Sequence, residues 1–220
     1  MDIYKQLQAE LQEQNAQLIA VSKTKPNEQI IEFYNQGQRA FGENRVQELV
    51  GKYEALPKDI EWHLIGHLQT NKVKYIAPFV HMIHSIDSLK LLKEVQKQGV
   101  KLERKIKVLL QMHIADEDSK FGLDKRELIE ILEYYTATTS PFTHIQVCGL
   151  MGMATFTEDH GQVCSEFKNL KELFDFCKSS YVLSEEFKEI SMGMSGDYKI
   201  ALEQGSTMVR VGSMLFGPRN

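Results

Sequence analysis

The sequence predicts an α/β protein of one domain over 1–220, a (β/α)8 barrel of the TIM type at 17–217 behind an extra N-terminal helix at 1–16. Three observations predict it. From Gln17 onward, eight short apolar stretches of strand composition alternate with stretches of helical period in one uninterrupted array, a pattern that implies a parallel sheet with right-handed crossovers. No G-x-G-x-x-G follows the first strand, which argues against an open doubly wound sheet, and eight is the strand count that closes a barrel. No linker, low-complexity run or repeat divides the chain.

In chain order, Ile3, Leu7 and Leu11 stand at i+4 spacing among polar residues, an amphipathic helix expected to pack as a lid or a bottom plug. Strands are expected at 17–22, 39–42, 60–65, 81–86, 105–114, 144–151, 187–192 and 207–212, and helices near 27–37, 44–56, 70–78, 88–98, 124–136, 160–179 and 196–204. Several boundaries carry their own chemistry. Pro26 and Asn27 suit a first helical turn and Gly37 its stop. Asp87 or Ser88 can cap the helix whose Leu89, Leu92 and Val95 precede Gly99, and Asp124 with Glu127 at N3 reads as a further cap.

Composition narrows the class. A formal charge of −4 with both signs interspersed gives no basic stripe, so no nucleic-acid partner is expected. Three cysteines, Cys148, Cys164 and Cys177, are odd in number and lack C-x-x-C spacing, which fits neither a disulfide framework nor a cysteine zinc site and suits a reducing, cytoplasmic setting. The first residues lack a basic region followed by an apolar run, and no stretch reaches the length of a membrane span. No continuous apolar patch is evident, so a monomer is expected.

The chemistry begins at Ala20-Val21-Ser22-Lys23-Thr24-Lys25-Pro26. Period 2 puts Ile19, Val21 and Lys23 on one face at the carboxyl end of the first strand. If that face points into a barrel, desolvation disfavours the ammonium, and a neutral amine can attack an aldehyde, as in a Schiff-base lysine. A solvated loop lysine is the competing reading.

In a barrel of this type the active site lies at the carboxyl ends of the strands, with phosphate often held after strands seven and eight. There the chain has Met192-Gly193-Met194-Ser195-Gly196-Asp197 and Arg210-Val211-Gly212-Ser213. Glycines at 193, 196 and 212 allow close backbone approach, and Ser191, Ser195 and Ser213 supply hydroxyls for phosphate oxygens. Amides opening the next helix would face an anion. Arg210, two residues before Gly212, needs an acceptor if buried, either a ring nitrogen or carboxylate of a ligand or an internal ion-pair partner.

These segments, together with Phe41-Gly42-Glu43-Asn44, Trp62-His63-Leu64-Ile65-Gly66-His67-Leu68-Gln69 and Gly149-Leu150-Met151, resemble the pyridoxal phosphate homeostasis protein family from Leu18 to Gly217. The resemblance implies a fold like the alanine racemase N-terminal domain. It also implies pyridoxal 5'-phosphate (PLP) as cofactor and a part in vitamin B6 homeostasis without an established catalytic activity. By that resemblance Lys23 would hold PLP as a covalent aldimine, Arg210 would meet the pyridine nitrogen, and Ser195, Gly212 and Ser213 would contact the phosphate. Ser191 and Gly193 are further candidates, and Asn44, Gln69, Asn71 and Met151 would ring the cofactor or cap loops. PLP-dependent apo-enzymes are the implied recipients. Lys25, two residues beyond Lys23, is read first as a surface or electrostatic residue and, alternatively, as one that receives PLP during transfer. Arg45 stands where many relatives have tyrosine.

Binding without turnover is the expected behaviour. An arginine beside the pyridine nitrogen opposes its protonation and weakens the electron sink, although alanine racemase also uses arginine there. Racemisation on that scaffold further needs a tyrosine from a second, all-β domain, and the 220 residues end just after the eighth strand. A PLP-dependent racemase and a PLP-free Schiff-base lyase or aldolase are the alternatives. His63 and His67 have H-x-x-x-H spacing but flank a strand end, so they are read as pocket or hydrogen-bonding residues instead of zinc ligands, and His81 and His84, three apart, are assigned no role.

Overall fold

A computed structural model describes residues 3–116 and 121–217. Eight parallel strands, β1 (Gln17–Val21), β2 (Ala40–Glu43), β3 (Glu61–Leu64), β4 (Met82–Ile86), β5 (Ile106–Met112), β6 (Ile145–Gly152), β7 (Glu189–Met194) and β8 (Met208–Val211), close in sequence order into a barrel. Closure is made by β8 pairing with β1, which sets Arg210 beside Ile19. The helices are α1 (Ile3–Glu13), α2 (Asn27–Asn35), α3 (Val46–Ala55), α4 (Val73–Ile76), α5 (Leu89–Lys101), α6 (Lys125–Thr136), α7 (His160–Ser180), α8 (Tyr198–Glu203) and α9 (Ser213–Phe216). The expected (β/α)8 barrel is the observed one.

The strands read as apolar runs because both faces are covered. Outward residues such as Ala20, Phe41, Trp62, Leu64 and Ile83 pack under the helices, while Ile19, Ala40, Met82, Leu109, Cys148, Met151 and Met208 form a separate cluster in the interior. Burial holds the Cys148 thiol up at about 11 and the Cys177 thiol at about 12, so neither is a ready nucleophile. No described helix is long and apolar enough to cross a membrane.

Capping chemistry acts where the sequence placed it. Ser88 accepts from the Leu91 amide, and Asp124 with Glu127 completes a capping box on α6. The helix expected at 70–78 begins as a 3-10 turn over Thr70–Lys72 before α4, and α9 is an addition to the expected set.

The N-terminal helix departs from expectation in two ways. Its buried stripe is Tyr4, Leu7 and Leu11, with Ile3 exposed, and it is neither lid nor plug. The stripe packs with Leu18, Val209 and Val211 from the outer faces of β1 and β8 and with Tyr198 of α8, so α1 covers the seam where the barrel closes. Met1 and Asp2 of the predicted helix, and 218–220 of the predicted domain, lie outside the described residues, as do 117–120.

Gly149 marks where β5 and β6 change register, and it adopts φ +152°, where a Cβ would overlap the Glu189 carbonyl. Gly149→Ala is expected to cost about 2–5 kcal/mol, combining backbone strain with a clash that only strand displacement relieves. Urea unfolding midpoints check this; a loss under about 1 kcal/mol would show that the strands yield freely.

Candidate functional site

At the carboxyl ends of the strands lies a cavity of about 460 Å³, within the usual range for small-ligand sites. Its wall includes Val21, Lys23, Lys25, Asn44, Ser195, Arg210, Gly212 and Ser213.

Lys23 is delivered by a short turn after β1 rather than by the strand itself, which ends at Val21. Ile19 faces the interior and Val21 and Lys23 line the cavity, so the turn continues the inward face beyond the strand. The turn is tightly held. Thr24 has φ +64°, costly for a β-branched residue, and its amide donates to Glu48 Oε1 at 2.6 Å. The Lys25 amide closes the turn on the Ser22 carbonyl at 3.0 Å. Below it, Lys52 Nζ donates to the Ser22 carbonyl at 2.8 Å, to Glu43 Oε1 at 2.8 Å and to Glu48 Oε1 at 2.7 Å, using all three of its protons. Ser22 Oγ donates to Glu43 Oε1 at 2.5 Å. Burial raises the Glu43 carboxyl above its ordinary range, against the pull of Lys52, and its Oε2 has no hydrogen-bond partner.

Lys25 lines the same cavity, and its Nζ donates to the Phe216 carbonyl at 2.9 Å, tying the first βα turn to α9. Arg210 rises from β8 with only 4% of its surface exposed. It donates from Nη1 to Ser191 Oγ at 2.7 Å and from Nη2 to the Gly152 carbonyl at 3.0 Å. Burial lowers its pKa to about 10, which leaves it charged at neutral pH, and no carboxylate stands within ion-pair distance among the described residues. Ser191 is itself held by His84 Nδ1 at 3.0 Å, and His84 Nε2 meets His63 Nδ1 at 2.8 Å, so the arginine stands at the head of a buried polar chain.

The loops after β7 and β8 join at one wall. The Gly212 amide donates to Ser195 Oγ at 3.3 Å, which leaves the Ser195 hydroxyl proton available to a ligand. Asp197 lines the cavity too, but its Oδ1 accepts from the Met194 amide at 2.5 Å. The loop after β6 supplies Met153, Thr155 and Phe156, and the buried Glu166 of α7 pins it by accepting from the Thr155 amide at 2.6 Å and the Thr155 hydroxyl at 2.7 Å.

Five of the residues expected around the cofactor do not line the cavity. Met151 belongs to the interior cluster one layer down, and Met153 takes the position at the wall. Ser191 is fully buried beneath Arg210. Gly193 has φ +90°, and a Cβ there would stand 2.6 Å from Ala201 Cβ, so its lack of a side chain serves the packing of α8 on β7. Asn71 sits exposed in the 3-10 turn after β3 and Gln69 exposed just before it, and Arg45 is exposed beside the N-terminus of α3. Sequence reasoning missed His160, Phe156 and Lys52. Only Lys52 carried a legible signal, its i+4 spacing from Glu48.

Among known proteins, residues 3–220 match the family model described as alanine racemase, N-terminal domain. The chain is similar to a pyridoxal phosphate homeostasis protein of Aquifex aeolicus, 43% identical over 205 residues that cover 93% of this chain and 87% of the relative. It is likewise similar to one of Homo sapiens, 39% identical over 216 residues covering 92% and 76%. Among solved structures it is similar to PipY of Synechococcus elongatus with PLP bound, at a TM-score of 0.86 and 34% identity, covering 98% of this chain and 100% of that one.

Proposed function

Because the chain belongs to the pyridoxal phosphate homeostasis protein family, we propose that it binds PLP in the cavity at the carboxyl ends of its strands and serves vitamin B6 homeostasis, holding the cofactor on Lys23 with negligible turnover. PLP-dependent apo-enzymes are its proposed recipients, in the cytoplasm, and a monomer is its proposed working state.

One observation carries the reading: the same cavity brings together a turn-held lysine, a buried charged arginine and two serine-glycine loops. Arg210 supports the fit most directly, since a buried guanidinium with two neutral protein acceptors and no carboxylate partner among the described residues suits an aromatic ring nitrogen as a further acceptor. Ser195, Gly212 and Ser213 would take the phosphate, with the Ser195 hydroxyl donating. Lys23 would take the aldehyde end, and Asn44, which lines the cavity, would be a polar neighbour of the ring. When bound, PLP supplies an aldehyde that links to amines and a ring that withdraws electrons from them.

The residues at the ring favour holding over turnover through what they do with protons. Arg210 remains charged, so it would donate toward a ring nitrogen and oppose its protonation, and the Ser191 and Gly152 oxygens hold its guanidinium in place. Purified protein titrated with PLP is expected to develop the absorption of lysine-linked cofactor at one equivalent per chain, and to leave L-alanine unchanged in that state. Interconversion of L- and D-alanine that disappears in Lys23→Ala would replace this reading with a racemase.

A further inference from the structure

At the opposite end of the barrel, where strands begin, Glu61 and His63 occupy alternate positions of β3 and share a face, and His81 immediately precedes β4. One carboxylate oxygen and one nitrogen from each imidazole lie within 4.8 Å of one another. The rings of His63 and His81 are 5.1 Å apart between centroids, and His81 Nδ1 is 3.9 Å from Glu61 Oε1. His81 and Glu61 stand within ion-pair distance but beyond hydrogen-bond length, and neither bonds to His63 Nε2. His63 is fully buried; its Nδ1 is engaged by His84, and its Nε2 has no hydrogen-bond partner. Buried imidazole nitrogens left unpartnered are costly and call for an explanation. Glu61 and His81 are partly exposed, which gives the spot an opening to solvent.

We propose that Glu61, His63 and His81 form a binding site for a divalent metal ion of the zinc class at the amino-terminal end of the barrel. Two imidazoles and one carboxylate suit zinc, cobalt or nickel better than calcium or magnesium, which prefer all-oxygen sets. Three protein ligands leave a fourth position to water. Ligation closes the cluster by small side-chain movements, since ligand atoms around zinc stand closer together than 4.8 Å. The side chains that would orient His63 are already in place. With Nε2 on the ion, His63 carries its proton on Nδ1 and donates to His84 Nε2. His84 then donates from Nδ1 to Ser191 Oγ, the oxygen that also accepts from Arg210. Occupancy therefore sets the direction of the chain that ends beneath the cofactor cavity. The positive charges of Lys107 and Arg104 act on the same spot and oppose a dication, so micromolar affinity is expected instead of the tighter binding of a closed structural site.

The test is a zinc titration of the full chain, stripped of metal and free of PLP, in competition with a chromophoric chelator. One equivalent is expected to bind. His81→Ala and Glu61→Gln, made at partly exposed positions, are each expected to weaken it tenfold or more while leaving the metal-free melting temperature and the PLP absorption unchanged. In the unmutated protein, imidazole nitrogen shifts are expected to move on zinc addition at His63 and His81 and not at exposed His67. Absence of stoichiometric binding, equal binding in both variants, or shifts confined to other histidines would overturn the site. Because PLP absorption is read separately, failure here leaves the cofactor reading standing, and failure of that reading leaves this site testable.

Discussion

Lys23→Ala is expected to abolish the absorption of protein-linked PLP and to weaken PLP binding by two orders of magnitude or more, a loss of about 2.7 kcal/mol. The size follows from what stays behind. Arg210 and the loops of Ser195 and Gly212 lie on other strands and would still hold ring and phosphate, but the covalent anchor of the aldehyde end would be gone. Lys25→Ala is the informative companion, because Lys25 lines the same cavity while its Nζ is bonded to the Phe216 carbonyl. It is expected to keep the chromophore and to lose the tie to α9. Equilibrium titration of the three proteins, followed by absorbance, separates these outcomes, and a chromophore lost in Lys25→Ala but kept in Lys23→Ala would exchange the two roles.

The second large effect is on stability. Lys52→Met removes the ammonium that neutralises Glu43 and holds the Ser22 carbonyl under the Lys23 turn. Removing one partner of a buried ion pair leaves the other charge uncompensated, at a cost of about 3–5 kcal/mol. For a chain of this size that lowers Tm by roughly 6–20 °C. The pH dependence has a definite sign. Burial already raises the Glu43 carboxyl, and loss of Lys52 raises it further, so the folded protein binds a proton that the unfolded chain releases earlier. The stability involved is fully present below the ordinary glutamate range and is lost as pH climbs through the raised folded value. The deficit of Lys52→Met relative to the parent is therefore expected to be smaller at acid pH than at pH 8. Adding Glu43→Gln should recover part of it, since a neutral amide no longer needs a counter-ion. Calorimetry at several pH values checks this, and a deficit below about 1 kcal/mol with no pH dependence would mean that the buried pair contributes little.

Most of the barrel was legible because each strand is an apolar run bounded by polar turns, and the caps at Ser88 and Asp124 are local chemistry. What was misread was depth. Strands β6 and β7 run to Gly152 and Met194, one and two residues past their predicted ends, so Met151 and Ser191 lie in the interior below the cavity wall. The predicted start of β7 was early for a related reason. Phe187 extends the apolar run but stacks on Phe174 of α7 at 5.0 Å, and hydrophobicity alone does not separate a strand residue from one packed beside it. The histidines show the limit of spacing rules. His67 turns away to Asp87 and Phe121, whereas His81 escapes strand alternation by preceding β4 and so meets His63, which lies on another strand. Such a meeting is set by barrel closure and register, which no local pattern encodes.

On the proposed reading the Lys23 nitrogen carries the cofactor, in a cavity whose other walls would hold the ring and the phosphate. Borohydride reduction of the PLP-loaded protein, followed by peptide mass spectrometry, tests it most directly. A single phosphopyridoxyl group on Lys23 is expected; its appearance on Lys25 or on lysines outside the cavity, with Lys23 unmodified, would overturn the assignment.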